Sequence, residues 1–149
     1  MYLCNMTNEE IIKIINDRRR GTLMETLEIE YTSMESQILR GRMPVTTAHL
    51  QPAGLLHGGA TVALAETIGS AASNIFLDNP DAFIAVGQEI AANHVRSVRS
   101  GYVYAEAKFL HKGKTSHVVE IRITDDDNRL VSFVKMTNAI LPKEIKSLN

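Results

Sequence analysis

One stretch of this chain constrains its fold more than any other. From Gly58 to Phe76 the sequence is rich in alanine, free of proline, and carries a single charge, Glu66. The pattern predicts a helix over about 58–76 that is apolar on most sides, and such a helix is stable only when the rest of the chain covers it. The flanking sequence suits that task. Thr7 followed by Glu10 is the signature of a capping box, and Ile11, Ile14 and Ile15 follow at helical spacing. Arg18, Arg19 and Arg20 fall in the last turn, with Gly21 as a stop, so a helix over about 7–20 is expected. The arginine triplet reads as a phosphate patch or, more commonly, as a solvated helix end that complements the dipole.

From Leu23 to Thr47 the texture becomes β-like. Leu27, Ile29 and Tyr31 alternate with charged partners, and Ile38, Arg40 and Arg42 continue in a second run with Pro44 near its end. Ser33, Met34 and Glu35 read as the turn between them. Beyond the apolar helix lie four β-rich runs: Phe83 to Ser97, Tyr102 to His111, Thr115 to Thr124 and Leu130 to Ile140. Their separators are Ser100-Gly101, Lys112-Gly113-Lys114 and Asp125-Asp126-Asp127-Asn128, all turn chemistry. Separators this short imply antiparallel neighbours. The order is helix, two strands, buried helix, four strands. It predicts an α+β fold in which a long central helix is wrapped by a curved antiparallel sheet, within a single domain over 1–149.

Composition removes several classes of function. At 149 residues and 44% apolar content the chain has the size and core of one ordinary domain. Its 16 basic and 17 acidic side chains leave a net charge of −1, and aromatic residues make only 5%. The long-range basic field and the stacking platforms of a general nucleic-acid binder are both missing, so nucleic acid is not an expected partner. The single cysteine, Cys4, excludes an internal disulfide and a Cys-rich zinc site, and suggests a reducing compartment. His49, His111 and His117 lack paired metal-ligand spacing, so no metal is expected. Ala53 to Ala65 contains His57 and stops at Glu66, too short and too polar to span a bilayer. Met1 to Asn8 lack the blocks of a secretory signal. A cytoplasmic protein without membrane contact is expected.

The residues that carry chemistry cluster around the start of the apolar helix, in the run Gln51-Pro52-Ala53-Gly54-Leu55-Leu56-His57-Gly58-Gly59-Ala60. Gly58 and Gly59 expose backbone N–H groups where the helix begins. A helix start offers unpaired donors and partial positive charge, which would stabilise a carbonyl oxygen gaining negative charge during acyl transfer. The same glycines fit mere close packing, and alone they do not decide. Glu66 is costly on an apolar helix unless it is paired, protonated or used. As a general base or nucleophile it would have Ser70 one turn on, able to orient a water or the carboxylate. A structural hydrogen bond to a strand is the alternative. Eight residues of helix place Gly58 and Glu66 roughly 12 Å apart along the axis, too far to grip one carbonyl carbon. Two such helices running antiparallel across a two-fold axis would bring one chain's helix start beside the other's carboxylate. A site shared between subunits of an obligate dimer is therefore expected.

These residues resemble the hotdog-fold acyl-CoA thioesterases, in particular the phenylacetate-degradation-like group of aryl-CoA thioesterases that includes the 4-hydroxybenzoyl-CoA and 1,4-dihydroxy-2-naphthoyl-CoA types. The pattern Gln-Pro-x-Gly-x-Leu-His-Gly-Gly followed by Leu-Ala-Glu-Thr-x-Gly-Ser runs from Gln51 to Ser70, and likeness continues through Asn93-His94-Val95-Arg96, Gly101 and His111-Lys112-Gly113-Lys114. The resemblance implies that Glu66 is the nucleophile or the base that activates water, that the Gly58 N–H holds the thioester oxygen, that Gln51 and His57 polarise or orient the thioester, and that Ser70 positions the water. It implies coenzyme A contacts at His94, Val95, Arg96 and Ser97 and at His111, Lys112, Gly113, Lys114, Thr115 and Ser116. It also implies dimers whose sheets join edge to edge, commonly paired into tetramers, with the active sites at the dimer interface. The substrate class this implies is aryl- or medium-chain acyl-CoA, with coenzyme A part of the substrate and no separate cofactor expected. Ala71, Ala72, Phe83 and Val86 are candidates for the acyl-pocket lining. Two other readings stay open: a hydratase or dehydratase on acyl thioesters, and a non-catalytic acyl-CoA-binding protein.

Overall fold

A computed structural model describes residues 6–143; Cys4 lies outside them. Helix α1 (Asn8–Asp17) opens on the expected capping box, with the Thr7 side chain accepting from the Glu10 N–H and Glu10 reaching back. It ends earlier than the sequence suggests. Arg18 is its C-cap, so the arginine triplet follows the last turn instead of filling it. Arg19 is a strut, donating from Nε to the Asn16 carbonyl at 3.1 Å and from Nη1 to that of Ile29 at 2.9 Å.

Leu23–Thr26 forms a short helix, α2, where a β-like run was expected. Strands β1 (Glu30–Glu35) and β2 (Ile38–Pro44) then pair antiparallel. Their turn falls at Ser36 and Gln37, not at Ser33–Glu35. Both turn residues adopt left-handed φ, 48° and 65°, without glycine. The usual cue for such a turn is absent, and the sequence therefore hides it.

Helix α3 (Gly58–Ile75) ends one residue short of the prediction, with Phe76 as its C-cap. Strands β3 (Phe83–His94), β4 (Tyr102–Lys112), β5 (Ser116–Thr124) and β6 (Leu130–Pro142) complete one antiparallel sheet in the order β1-β2-β4-β5-β6-β3. Here the inference from short separators fails. β3 and β4 are consecutive in sequence but are not neighbours, and β3 instead closes the far edge against β6. The connection has room to cross because β3 stops at His94, leaving Val95–Gly101 as coil.

The concave face of the sheet holds α3. Leu64, Ala65, Ile68 and Ala72 are fully buried against Leu39, Met43, Val103, Val119, Ile121, Val134 and Met136. Bulges in β1, β3 and β4 let the sheet curl around the helix. Close approach depends on bare backbone. A Cβ at Gly69 would sit 2.9 Å from Met136 Sδ, and one at Gly41 would overlap Ile68 Cδ1 and stand 2.8 Å from the Glu30 carbonyl. Gly41→Ala should therefore lower stability by about 1–3 kcal/mol, the usual range for overpacking, read as a lower denaturant midpoint with unchanged slope.

Candidate active site

His57 closes the start of α3. Its Nδ1 accepts the Gly59 N–H at 2.8 Å, so in the neutral ring the proton sits on Nε2 of an exposed side chain. The two glycines are thus not equivalent. Gly59 is occupied by the cap, while no acceptor among the described residues meets the Gly58 N–H. Gly58 is bare because the imidazole of His94 lies over it: a Cβ there would stand 2.9 Å from His94 Nε2.

Gln51 reaches the same place from the preceding loop. Its N–H donates to the Leu55 carbonyl at 2.8 Å, and its Oε1 accepts the Ala53 N–H at 2.5 Å, which leaves the side-chain NH2 as a donor. The loop is fastened to the segment after β3 by Leu56 N–H to the Val98 carbonyl at 2.8 Å and Arg99 Nη1 to the Gly54 carbonyl at 3.3 Å. His49, buried behind it, holds Thr46 through Nδ1 and the Leu27 carbonyl through Nε2. A cleft of about 390 Å³ results, lined by Gln51, Gly58 and Thr61 together with His94, Val95, Arg96 and Ser97.

Glu66 and Ser70 do not line that cleft. Glu66 is half-buried two turns along α3, accepts from Ser70 Oγ at 3.3 Å, and pairs with no Lys or Arg among the described residues. Its carboxylate rests over Gly87 of β3, where a Cβ would overlap it. Sequence reasoning passed over Gly87, although an isolated glycine in a strand run signals close approach.

The turn from His111 to Ser116 lies at the other end of α3. Lys112 Nζ donates to Asp78 Oδ1 at 2.5 Å just past the helix, and its hydrogen bond and charge hold the Asp78 carboxyl below the usual carboxylate range. Gly113 N–H to the Ser116 carbonyl at 2.9 Å closes the turn, with His111 folded over Gly113 and Lys114 and Thr115 exposed. Eighteen residues of helix span about 27 Å. One chain therefore holds the two candidate coenzyme A segments far apart. Of the acyl-pocket candidates, Ala72 is fully buried core, whereas Ala71 and Phe83 are half-buried.

Beneath the turn His117 is 2% exposed, opposite Asn138 in the β5–β6 register. Asn138 Nδ2 donates to Ser73 Oγ at 2.7 Å, while His117 Nδ1 and Asn138 Oδ1 have no hydrogen-bond partner among the described residues. Among the described residues no group of three or more His, Cys, Asp or Glu side chains could hold a metal ion, and no helix is long and apolar enough to cross a membrane.

A helix wrapped by an antiparallel sheet is the hotdog arrangement, and free donors at the helix start with a carboxylate on its flank are groups that can serve thioester hydrolysis. Comparison with known proteins agrees. Residues 53–132 match the Thioesterase superfamily, and the chain belongs to it. It is 42% identical over 130 residues to the proofreading thioesterase EntH of Cronobacter turicensis, covering 87% of this chain and 93% of that protein. It is 40% identical over 130 residues to the 1,4-dihydroxy-2-naphthoyl-CoA hydrolase of Escherichia coli, covering 87% and 94%. A crystal structure of a mutant thioesterase from Pseudomonas aeruginosa superposes with a TM-score of 0.86 at 37% identity, covering 89% of this chain and 94% of that one.

Burial, with the nearby Lys112 charge, pushes the His117 imidazole below its ordinary value of 6.5. The unfolded chain then takes up a proton at a pH where the folded chain does not. Stability is present above about 6.5 and falls as pH drops below it, by up to about 1.4 kcal/mol per pH unit. His117→Gln should flatten that part of the slope in denaturant titrations between pH 7.5 and 5.5.

Proposed function

We propose that this protein hydrolyses aryl- or medium-chain acyl-CoA to the free acid and coenzyme A, with Glu66 as base or nucleophile, at a site assembled from two copies. The observation that carries the reading is the separation of the donors from the carboxylate on one helix. Among the described residues, an N–H with no acceptor at Gly58 and a carboxylate with no ion pair at Glu66 stand eight residues, about 12 Å, apart. Two α3 helices running antiparallel across a two-fold axis would close that gap. The same operation brings the His94–Ser97 segment of one copy toward the His111–Ser116 turn of the other.

In such a site the Gly58 N–H, with the Gln51 NH2 and His57 Nε2–H as further donors, receives the thioester oxygen. The helix start favours the negative charge that forms there. Water held by Ser70 gives a proton to Glu66 as its oxygen adds to the carbonyl carbon. The tetrahedral oxyanion collapses, the C–S bond breaks, and the thiolate takes the proton back from Glu66. Alternatively Glu66 adds to the carbon and expels the thiolate, leaving the acyl group on Glu66 as a mixed anhydride; water then opens that anhydride and its proton passes to the thiolate. No cofactor enters either route, since coenzyme A is part of the substrate.

Arg96 and Lys114 suit its phosphates as planar fork and point charge, while Lys112 would have to exchange Asp78 for phosphate. The activity of the relative acting on 1,4-dihydroxy-2-naphthoyl-CoA supports the aryl class, as does the small side chain of Ala71 just past Ser70. Dimers pairing into tetramers, and a place in the cytoplasm, complete the proposal.

Glu66→Gln should lower kcat by about 10²–10⁴-fold, the range for losing a general base, with KM little changed. Gly58→Ala, whose Cβ meets His94 Nε2 at 2.9 Å, should also be impaired. Mixing the two variants should restore about a quarter of the sites, because half of randomly formed dimers hold one intact site. Mixed dimers that regain nothing would exclude a shared site. Thiol release from benzoyl-, hydroxybenzoyl-, dihydroxynaphthoyl-, phenylacetyl- and straight-chain acyl-CoA would rank the substrates. A preference for long straight chains would overturn the aryl assignment.

A further inference from the structure

We propose that Gly87 is a positioning residue, its bare Cα on the edge strand β3 forming the notch that seats the Glu66 carboxylate. The inference rests on reading Glu66 as the group that activates water or attacks the thioester. A Cβ at Gly87 would overlap Glu66 Oε1 and stand 3.3 Å from its Cδ. It would also approach Met136 Cε at 3.1 Å, but that methyl is the far end of a flexible side chain and can withdraw. The carboxylate has less freedom, because it also holds the Ser70 hydroxyl at 3.3 Å.

Backbone conformation does not require glycine here. The glycines in the left-handed region are Gly21, Gly54 and Gly101, so what Gly87 contributes is space. The depth of the notch is set by a clamp two residues earlier in β3. Asn74 of α3 reads the Ala85 backbone in both directions, accepting its N–H at 3.0 Å and donating to its carbonyl at 2.9 Å. The same Asn74 Nδ2 donates to the Ser70 carbonyl at 3.0 Å. Helix and strand are therefore held at one spacing beside the carboxylate, and neither recedes without breaking the clamp. Immediately after Gly87 the β3–β6 register slips, leaving Gln88 outside the pairing. Bulges of this kind re-aim strands beside active sites. Because β3 is the edge of this chain's sheet, the notch is open on its outer side. A seat fixed on one side and open on the other holds the carboxylate toward whatever lies beyond the edge.

Gly87→Ala should reduce kcat at least tenfold, since a displacement of about 1 Å is enough for such losses, while KM stays within about threefold. The double variant E66D/G87A separates positioning from a general structural effect. Aspartate is one methylene shorter and does not reach the notch, so the double variant should match E66D alone. Losses that multiply, or a Gly87→Ala enzyme with unchanged kcat, would overturn the proposal. Should Gly87→Ala fail to fold, recovery of the fold in E66A/G87A sustains the notch and continued misfolding overturns it. If Glu66→Gln keeps full turnover, the functional reading fails instead. The crystal structure of Gly87→Ala then decides, a carboxylate left in place counting against the notch and a displaced one for it.

Discussion

Leu64, Ala65, Ile68 and Ala72 of α3 lose their contact with water against the concave face of the sheet, and the other features of the molecule depend on that burial. A leucine or isoleucine buried in this way contributes about 1.5–3 kcal/mol, and the small residues between them let the strands come close. Gly69 lies under Met136, and Gly41 on β2 lies under Ile68. The sheet curls because the helix must be covered, and its bulges are where the curl is taken up.

The covering is one-sided. The buried residues of α3 form a stripe from Thr61 to Ser73, while Val62, Ala63, Glu66, Thr67, Ser70 and Ala71 on the remaining flank are only half-buried. A carboxylate is tolerable on that flank because it keeps access to water and one hydroxyl partner. Among the described residues β3 is a free edge and the Gly58 N–H has no acceptor. Unsatisfied donors, a carboxylate with only a hydroxyl partner and an open strand edge are liabilities in a finished core. The shared site proposed above would use all three.

Much of this was legible in the residues. The Thr7–Glu10 box and the helix from Gly58 follow from local spacing, whereas the cleft that joins Gln51 and Gly58 to His94–Ser97 came only with the structure. Other features were hidden because they arise from contacts distant in sequence. The turn at Ser36–Gln37 carries no glycine. The short link between β3 and β4 looks like a hairpin, yet β3 finds its partner in β6 through 11 paired residues. Lys112 reads as a phosphate ligand, but it is held by Asp78, 34 positions away. Gly87 gains meaning only once Glu66 is seen above it.

The amino-acid sequence by itself determined that one apolar helix had to be wrapped, that a single acid would ride on it, and that a glycine-marked start would precede that acid by two turns. These are properties of helical periodicity and of side-chain chemistry, and they hold wherever the helix lies. Only the tertiary structure decided which flank of the helix stays open, which strand becomes the edge beside the acid, and which bare Cα receives its carboxylate. Those outcomes depend on the order of strands in the sheet. That order is set by packing between residues far apart in the chain, which no local pattern encodes.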